Sequence, residues 1–372
     1  MASAYTPGLT VTEHTTIRRI RWLPLKGEVY VKVGDKVSAE TVTAGTQIPG
    51  IMQTIKAAES LGIEPEDLIA ALRVQEGDDI KAGDLLAESK SFFGLFKSEC
   101  KSPYTGKVEL ISHATGHVGI RLPSTPVEVF AYIDGIVTEI MPGEGVVVET
   151  PGSLIQGIFG IGGERIGILK VPFEDITKSL TIEDLTPDMN GCVIVCGGSV
   201  DAATIKKAET FGVKGIVVGS IIDTDLVDYL GFDIGVAITG QEDIPLSLIL
   251  TEGFGNINMA ERTFKLFKSL DGRKVSINGA TQIRAGVIRP EIAAPGDLIS
   301  QTPKEPQPQT LEIGSRIRII RDPYFGILAT VSDLPIEPIK VDSGAIVRVL
   351  EAETSDGKTV TVPRANVEII VG

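Results

Sequence analysis

Gly27-Glu28-Val29-Tyr30-Val31-Lys32-Val33-Gly34-Asp35-Lys36-Val37 and Glu76-Gly77-Asp78-Asp79-Ile80-Lys81-Ala82-Gly83-Asp84-Leu85-Leu86-Ala87 set Gly-Asp corners between short apolar runs. Glycine reaches the positive φ of a tight turn without steric cost, and an aspartate beside it can accept a hydrogen bond from its own backbone. In the second stretch two corners stand six residues apart, about one strand length. The pattern predicts short strands joined by sharp turns.

Outward from these stretches, residues 1–20 read as an extended arm carrying the basic run Arg18-Arg19-Ile20-Arg21, and residues 21–50 as strands. The pattern turns helical from Gln53 to Leu61 and again from Glu66 to Arg73, where Pro65 and acidic residues suit a helix N-terminus. Strand and turn return over 74–150, including Tyr132-Ile133-Asp134-Gly135. The apolar segment from Leu154 to Leu169 holds five glycines and reads as a core hairpin or a surface for self-association. Then the period changes. Gly191 to Cys196, Val213 to Val218 and Gly235 to Thr239 read as strands, with helices at Asp201–Phe211 and Asp223–Leu230 between them and a further helix at Met259–Leu270. That alternation predicts a small parallel α/β unit. Residues 295–310 are rich in proline and read as a linker, and the remaining residues as a compact β module.

The Gly-Asp corners, together with Ser102-Pro103-Tyr104-Thr105-Gly106-Lys107-Val108, resemble the barrel-sandwich hybrid of biotinyl and lipoyl carrier domains, found also as the first module of Rnf C-type electron-transport subunits. The resemblance implies either a swinging cofactor or a rigid docking module. A carrier needs a lysine at a hairpin tip, flanked by methionines in biotinyl domains. Lys26, Lys101 and Lys107 lack that setting, so docking is the expected use. Gly314 to Ile320 followed by Pro323-Tyr324-Phe325-Gly326 resembles the KOW module, the SH3-like barrel of NusG-type factors and several ribosomal proteins. That resemblance implies a surface for RNA or protein. Residues 311–372 carry seven basic and nine acidic side chains, which disfavours RNA.

The expected fold class is therefore mixed β and α/β, in several domains. These are a barrel-sandwich hybrid with its N-terminal arm over 1–175, an α/β domain over 176–294, a linker over 295–310 and an SH3-like barrel over 311–372. The net charge of −14 argues against a general nucleic-acid or anionic-membrane binder. Three cysteines offer no disulfide framework, no apolar run is long enough to span a membrane, and no signal peptide is evident. A cytoplasmic location is expected.

Candidate sites are few. Gly197, Gly198 and Ser199 lie between a strand and a helix, where backbone amides can hold an anion, although the Walker and dinucleotide patterns are missing. His113 and His117 bracket a turn and supply two metal ligands without a third. Cys192 and Cys196 share one face of a strand and read as core residues. Arg316, Arg318, Tyr324 and Phe325 are candidates for partner binding on the C-terminal module. Asn278, Gln282, Arg284, Arg289 and Glu252 suggest a polar domain junction. No nucleophile, base and acid can be assembled into one set, and no cofactor is expected. The expected role is a non-enzymatic adaptor or structural subunit of a larger assembly, with protein partners or copies of itself. The alternatives are an accessory docking subunit of a redox or carrier-dependent enzyme, and a KOW-type factor contacting the transcription or translation machinery.

Overall fold

A computed structural model of the chain describes residues 9–91, 96–232, 244–281, 288–296, 311–319, 324, 327–340, 346–354 and 357–369. It is β-rich, with few helices.

One mixed sheet organises the molecule. Its strands are β1 (Val11–Trp22), β2 (Lys36–Val37), β3 (Gly135–Met141), β4 (Gly145–Gln156), β5 (Phe159–Ile161), β6 (Glu164–Lys170), β7 (Cys192–Val195), β8 (Gly215–Ile221), β9 (Ser247–Phe254), β10 (Lys274–Asn278) and β11 (Glu291–Pro295). Their order is β5-β9-β8-β7-β6-β10-β11-β4-β3-β2, with β1 along the other edge of β4. The sheet takes strands from both sides of residue 175. The expected N-terminal arm is in fact strand β1, paired antiparallel with β4 from Val11↔Ile155 to Trp22↔Gly145. The glycine-rich 154–169 segment forms the end of β4, β5 and most of β6, inside this sheet. A Cβ on Gly157 would lie 2.4 Å from Ile249 Cγ2, and one on Gly160 would lie 2.7 Å from Pro290 Cβ. The segment therefore packs closely within its own chain.

Strands β6, β7, β8 and β9 are parallel. Strands β7 and β8 are fully buried, as expected of strands covered on both faces. Helices α3 (Ala202–Thr210) and α4 (Asp223–Leu230) cover one face, and α5 (Glu261–Ser269) covers the other. Side-chain alternation sorts β7 between them. Ile194 and the two flanking cysteines, Cys192 and Cys196, pack with Ile205, Ala208 and Leu226. Val193 and Val195 pack with Phe264 and Phe267. The third expected strand, 235–239, lies outside the described residues. The strand that pairs with β8 is β9.

The remaining N-terminal residues form three smaller sheets. One orders Thr125–Phe130, Val42–Ile48 and Glu28–Val29. A second orders Met52–Ile55, His117–Arg121, Gly106–Ser112 and Asp79–Ile80, and the third pairs Leu85–Ser91 with Phe96–Lys101. The helical stretch expected from Gln53 begins as the strand Met52–Ile55, so helix α1 is only Ala57–Leu61. Beyond it, a 3-10 turn at Pro65–Asp67 leads into α2 (Leu68–Ala71). The C-terminal strands β12 (Arg316–Ile319), β13 (Leu328–Asp333), β14 (Val349–Thr354), β15 (Thr359–Pro363) and β16 (Val367–Ile369) make an antiparallel half-barrel of order β15-β14-β13-β12-β16. Its core holds Ile317, Ile319, Val331 and Leu350.

The Gly-Asp corners share one geometry. Gly34, Gly77 and Gly83 have φ of 92°, 95° and 94°. In each turn the aspartate carboxylate accepts from the backbone N–H three residues earlier: Lys32 to Asp35 at 2.8 Å, Gln75 to Asp78 at 2.9 Å, and Lys81 to Asp84 at 2.7 Å. The half-barrel opens with the same device, with serine in place of aspartate. Gly314 has φ 88°, and Glu312 N–H donates to Ser315 Oγ at 3.0 Å. A Cβ on Gly34, Gly77 or Gly83 would meet nothing within 4 Å, so an alanine there is opposed by backbone conformation alone. Gly83→Ala is expected to lower stability by about 1–2 kcal/mol. Asp84→Ala should cost about 1 kcal/mol through the lost hydrogen bond. Urea denaturation of the two variants checks both values.

Candidate functional site

The strand-to-helix turn at Gly197, Gly198 and Ser199 is closed to an anion. A Cβ on Gly197 would lie 2.0 Å from the Ile176 carbonyl, so the 176–179 segment sits directly on the turn. Gly198 N–H donates to the Lys178 carbonyl at 3.0 Å, and Ser199 N–H donates to Ser179 Oγ at 3.1 Å. The N-terminus of α3 already has its acidic caps. Asp201 accepts from Thr204 N–H at 2.7 Å, and Asp225 accepts from Ala202 N–H at 3.4 Å. The amides and the helix dipole that would attract an anion are spent on the fold.

The C-terminal candidates separate. Arg316 is exposed and Tyr324 is half-buried beside the half-barrel core, while Phe325 lies outside the described residues. Arg318 is not a partner-binding residue. It is 4% exposed and forms an ion pair with Glu252 of β9, itself 4% exposed. Arg318 Nη1 also donates to the Thr251 carbonyl at 3.2 Å, and the other Glu252 oxygen accepts from Ala260 N–H at 3.0 Å, just before α5. Glu252 thus serves a junction, as its polarity suggested, with Arg318 as its partner. Of the residues expected beside it, Asn278 instead accepts from Ala280 N–H at 2.9 Å. Gln282 and Arg284 lie outside the described residues.

His113 is exposed in the turn between two paired strands, and His117 begins the second of them. No group of three or more metal-ligating side chains occurs among the described residues. Lys26 is a surface lysine 3.9 Å from Glu144. Cys100, Cys192 and Cys196 are free and buried. Burial pushes the Cys196 thiol up to about 12 and raises the other two.

Two features escaped the sequence reading. The first is a charged clamp on one face of the main sheet. Arg19 grips Glu291 of β11 at 2.7 and 2.5 Å, and Arg21 grips Glu164 of β6 at 2.7 and 2.6 Å. Between them lies Tyr132, 2% exposed, with the Arg21 guanidinium 5.3 Å from its ring centre and its hydroxyl 3.5 Å from Glu291. Among the described residues Tyr132 alone combines a side chain with positive φ, 71°. Such a conformation costs about 1–3 kcal/mol and persists only where its surroundings enforce it. Its N–H donates to the Ala39 carbonyl at 2.9 Å, and its own carbonyl accepts from Ser276. Burial and the two carboxylates push the Tyr132 phenol well above its usual range. Burial also raises the Glu291 carboxyl, against the pull of Arg19. Period two was the available signal, because Ile17, Arg19 and Arg21 share one face of β1.

The second is a groove of about 570 Å³ between the three-stranded and the four-stranded N-terminal sheets, lined in part by Pro49, Gly50, Pro123, Lys81, Lys107 and Arg121. Arg121 is bound to Glu109 at 2.6 Å. Lys81 and Lys107 are exposed and have no ion-pair partner among the described residues. No family model matches the chain, and no curated protein matches it.

Removing one member of a buried ion pair strands the other's charge. Arg318→Met is expected to cost about 3–5 kcal/mol. Adding Glu252→Leu to it should recover most of that loss, giving a strong coupling in a double-mutant cycle measured by chemical denaturation. A second check concerns the thiols. A raised pKa keeps a thiol protonated, and the thiolate is the reactive species. At pH 8 the folded protein should leave all three cysteines unmodified by Ellman's reagent over the time in which the denatured chain reacts completely.

Proposed function

We propose that this chain is a non-enzymatic structural subunit that associates with copies of itself in a larger assembly. Exposed aromatic side chains carry the reading. Trp22, Tyr30 and Phe130 are 54%, 55% and 45% exposed, and Trp22 is the sole tryptophan of the chain. They belong to one region. Arg21 Nε donates to the Phe130 carbonyl at 2.7 Å, while Tyr30 and Phe130 flank the 42–48 strand at Thr43 and Val42. Aromatic residues are enriched at protein interfaces, where they bury large areas at low entropic cost. The edge of β1 runs into the same region, which favours another copy of the chain as the occupant.

In this reading the small N-terminal sheets are a barrel-sandwich hybrid used for docking, and the C-terminal half-barrel is an SH3-like KOW module. The net charge supports protein contacts over RNA for both. Among the described residues no helix is long and apolar enough to cross a membrane.

The test is the solution mass of the full chain, by light scattering after size exclusion at low and at high salt. A multiple of 39.5 kDa at both salts is the expected outcome, since aromatic burial is insensitive to screening. A single-chain mass at both would overturn self-association.

A further inference from the structure

Strand β1 borders the main sheet. Among the described residues it pairs with β4 and with no other strand. One hydrogen bond settles which of its backbone groups face away from β4. The Pro151 carbonyl accepts from Gly296 N–H at 2.7 Å, on the β11 side of β4. In an antiparallel ladder the N–H and C=O of a residue point the same way, and successive residues alternate. Pro151 therefore turns away from β1, and its partner Thr16 turns away from β4. Alternation extends this to Arg18, Ile20 and Trp22. The odd positions agree, since Leu23 N–H donates to the Glu144 carbonyl at 2.8 Å.

The side chains of the same four residues are all exposed, Ile20 by 39% and Trp22 by 54%. Edge strands usually carry devices that discourage pairing. Among the described residues three are visible: a register shift between Thr12 and Thr15, the charged side chains of Arg18, Arg19 and Arg21, and the Arg19 guanidinium donating to the Arg18 carbonyl at 2.7 Å. Beyond Arg18 no strand among the described residues pairs with this edge, which carries an isoleucine and a tryptophan.

We propose that β1 pairs antiparallel with β1 of a second copy of this chain, about a two-fold axis at Ile20. The proposal rests on the self-association reading and names its surface. With Ile20 opposite its symmetry mate, each Arg18 stands opposite the other copy's Trp22. Arg18 is ion-paired within its own chain, with Glu149 at 3.2 Å and Glu139 at 3.3 Å, and the exposed face of its guanidinium then meets an indole, which is a favourable cation–π contact, while the two isoleucines meet at the axis. Moving the axis to Arg18 would set each Trp22 opposite the other copy's His14 and lose both the isoleucine contact at the axis and the arginine–tryptophan pairs. On the other face Arg19 and Arg21 are already neutralised by Glu291 and Glu164, so pairing brings no uncompensated charges together there.

Three single variants and the parent chain test this. In a hydrogen-bonded antiparallel pair opposed Cα atoms lie about 5.5 Å apart, within disulfide range. Ile20→Cys should form a covalent dimer under mild oxidation on a non-reducing gel, and Thr16→Cys should not, while the three native cysteines are buried. Ile20→Lys places two like charges at the axis and should reduce the mass to that of one chain with an unchanged circular dichroism spectrum. A parent chain that is a monomer overturns both this pairing and the self-association reading. An oligomeric parent in which Ile20→Cys fails to cross-link, or cross-links no better than Thr16→Cys, overturns the β1 pairing alone. An Ile20→Lys variant that folds and keeps the parent mass does the same. Should Ile20→Lys fail to fold, the comparison of the two cysteine variants decides.

Discussion

The backbone ladder of strand β4, residues 145–156, holds the two halves of this molecule in one sheet. Strand β1 runs along the whole of one edge, and β3 and β11 share the other end to end. The change of partner falls at Pro151-Gly152. Proline lacks an N–H to donate, and its carbonyl is taken by Gly296. A Cβ on Gly152 would lie 2.4 Å from the Ala294 carbonyl, so glycine is what lets β11 approach. Strand β11 in turn pairs with β10, and β10 with β6. Within the sheet, among the described residues, the parallel strands therefore join the N-terminal half through a chain of antiparallel contacts that begins at β4.

Side chains reinforce that ladder across its face. Arg19 and Arg21 project from β1 onto carboxylates of β11 and β6, strands far from it in sequence. Tyr132 fills the space between them, in a backbone conformation that only dense surroundings sustain. The half-barrel is joined differently. Among the described residues it is tied to the α/β region by the Arg318–Glu252 pair, buried on both sides. Burying two charges is costly unless the geometry is close and further hydrogen bonds are made. Here the Thr251 carbonyl and Ala260 N–H supply them. Such a pair tolerates little displacement, so it fixes orientation as well as contact.

Local chemistry made much of this legible. The Gly-Asp corners specified their turns down to the carboxylate hydrogen bond, because both the positive φ and the cap lie within four residues. The helices of the α/β region stand close to where apolar period and caps placed them. The cysteines of β7 share a face, as spacing required. What misled was context. The basic run Arg18-Arg19-Ile20-Arg21 suggested an extended arm, yet it lies in a sheet strand and all three arginines are paired with glutamates remote in sequence. The strand-to-helix turn at Gly197 had the composition of an anion site, yet a neighbouring segment occupies it. Arg318 matched an exposed strand position, yet it faces another part of the chain.

The sequence by itself determined the turns, the strand and helix periods and the acidic balance, because these depend on residues within a few positions or on totals. The tertiary structure alone decided the use of Arg19, Arg21, Arg318 and Gly197. It turned an apparent arm into a sheet edge, an anion loop into a packed turn and a surface arginine into a buried clamp. The reason is physical. A side chain's chemistry depends on its burial and on its partner, and in this fold the partners come from strands remote in sequence.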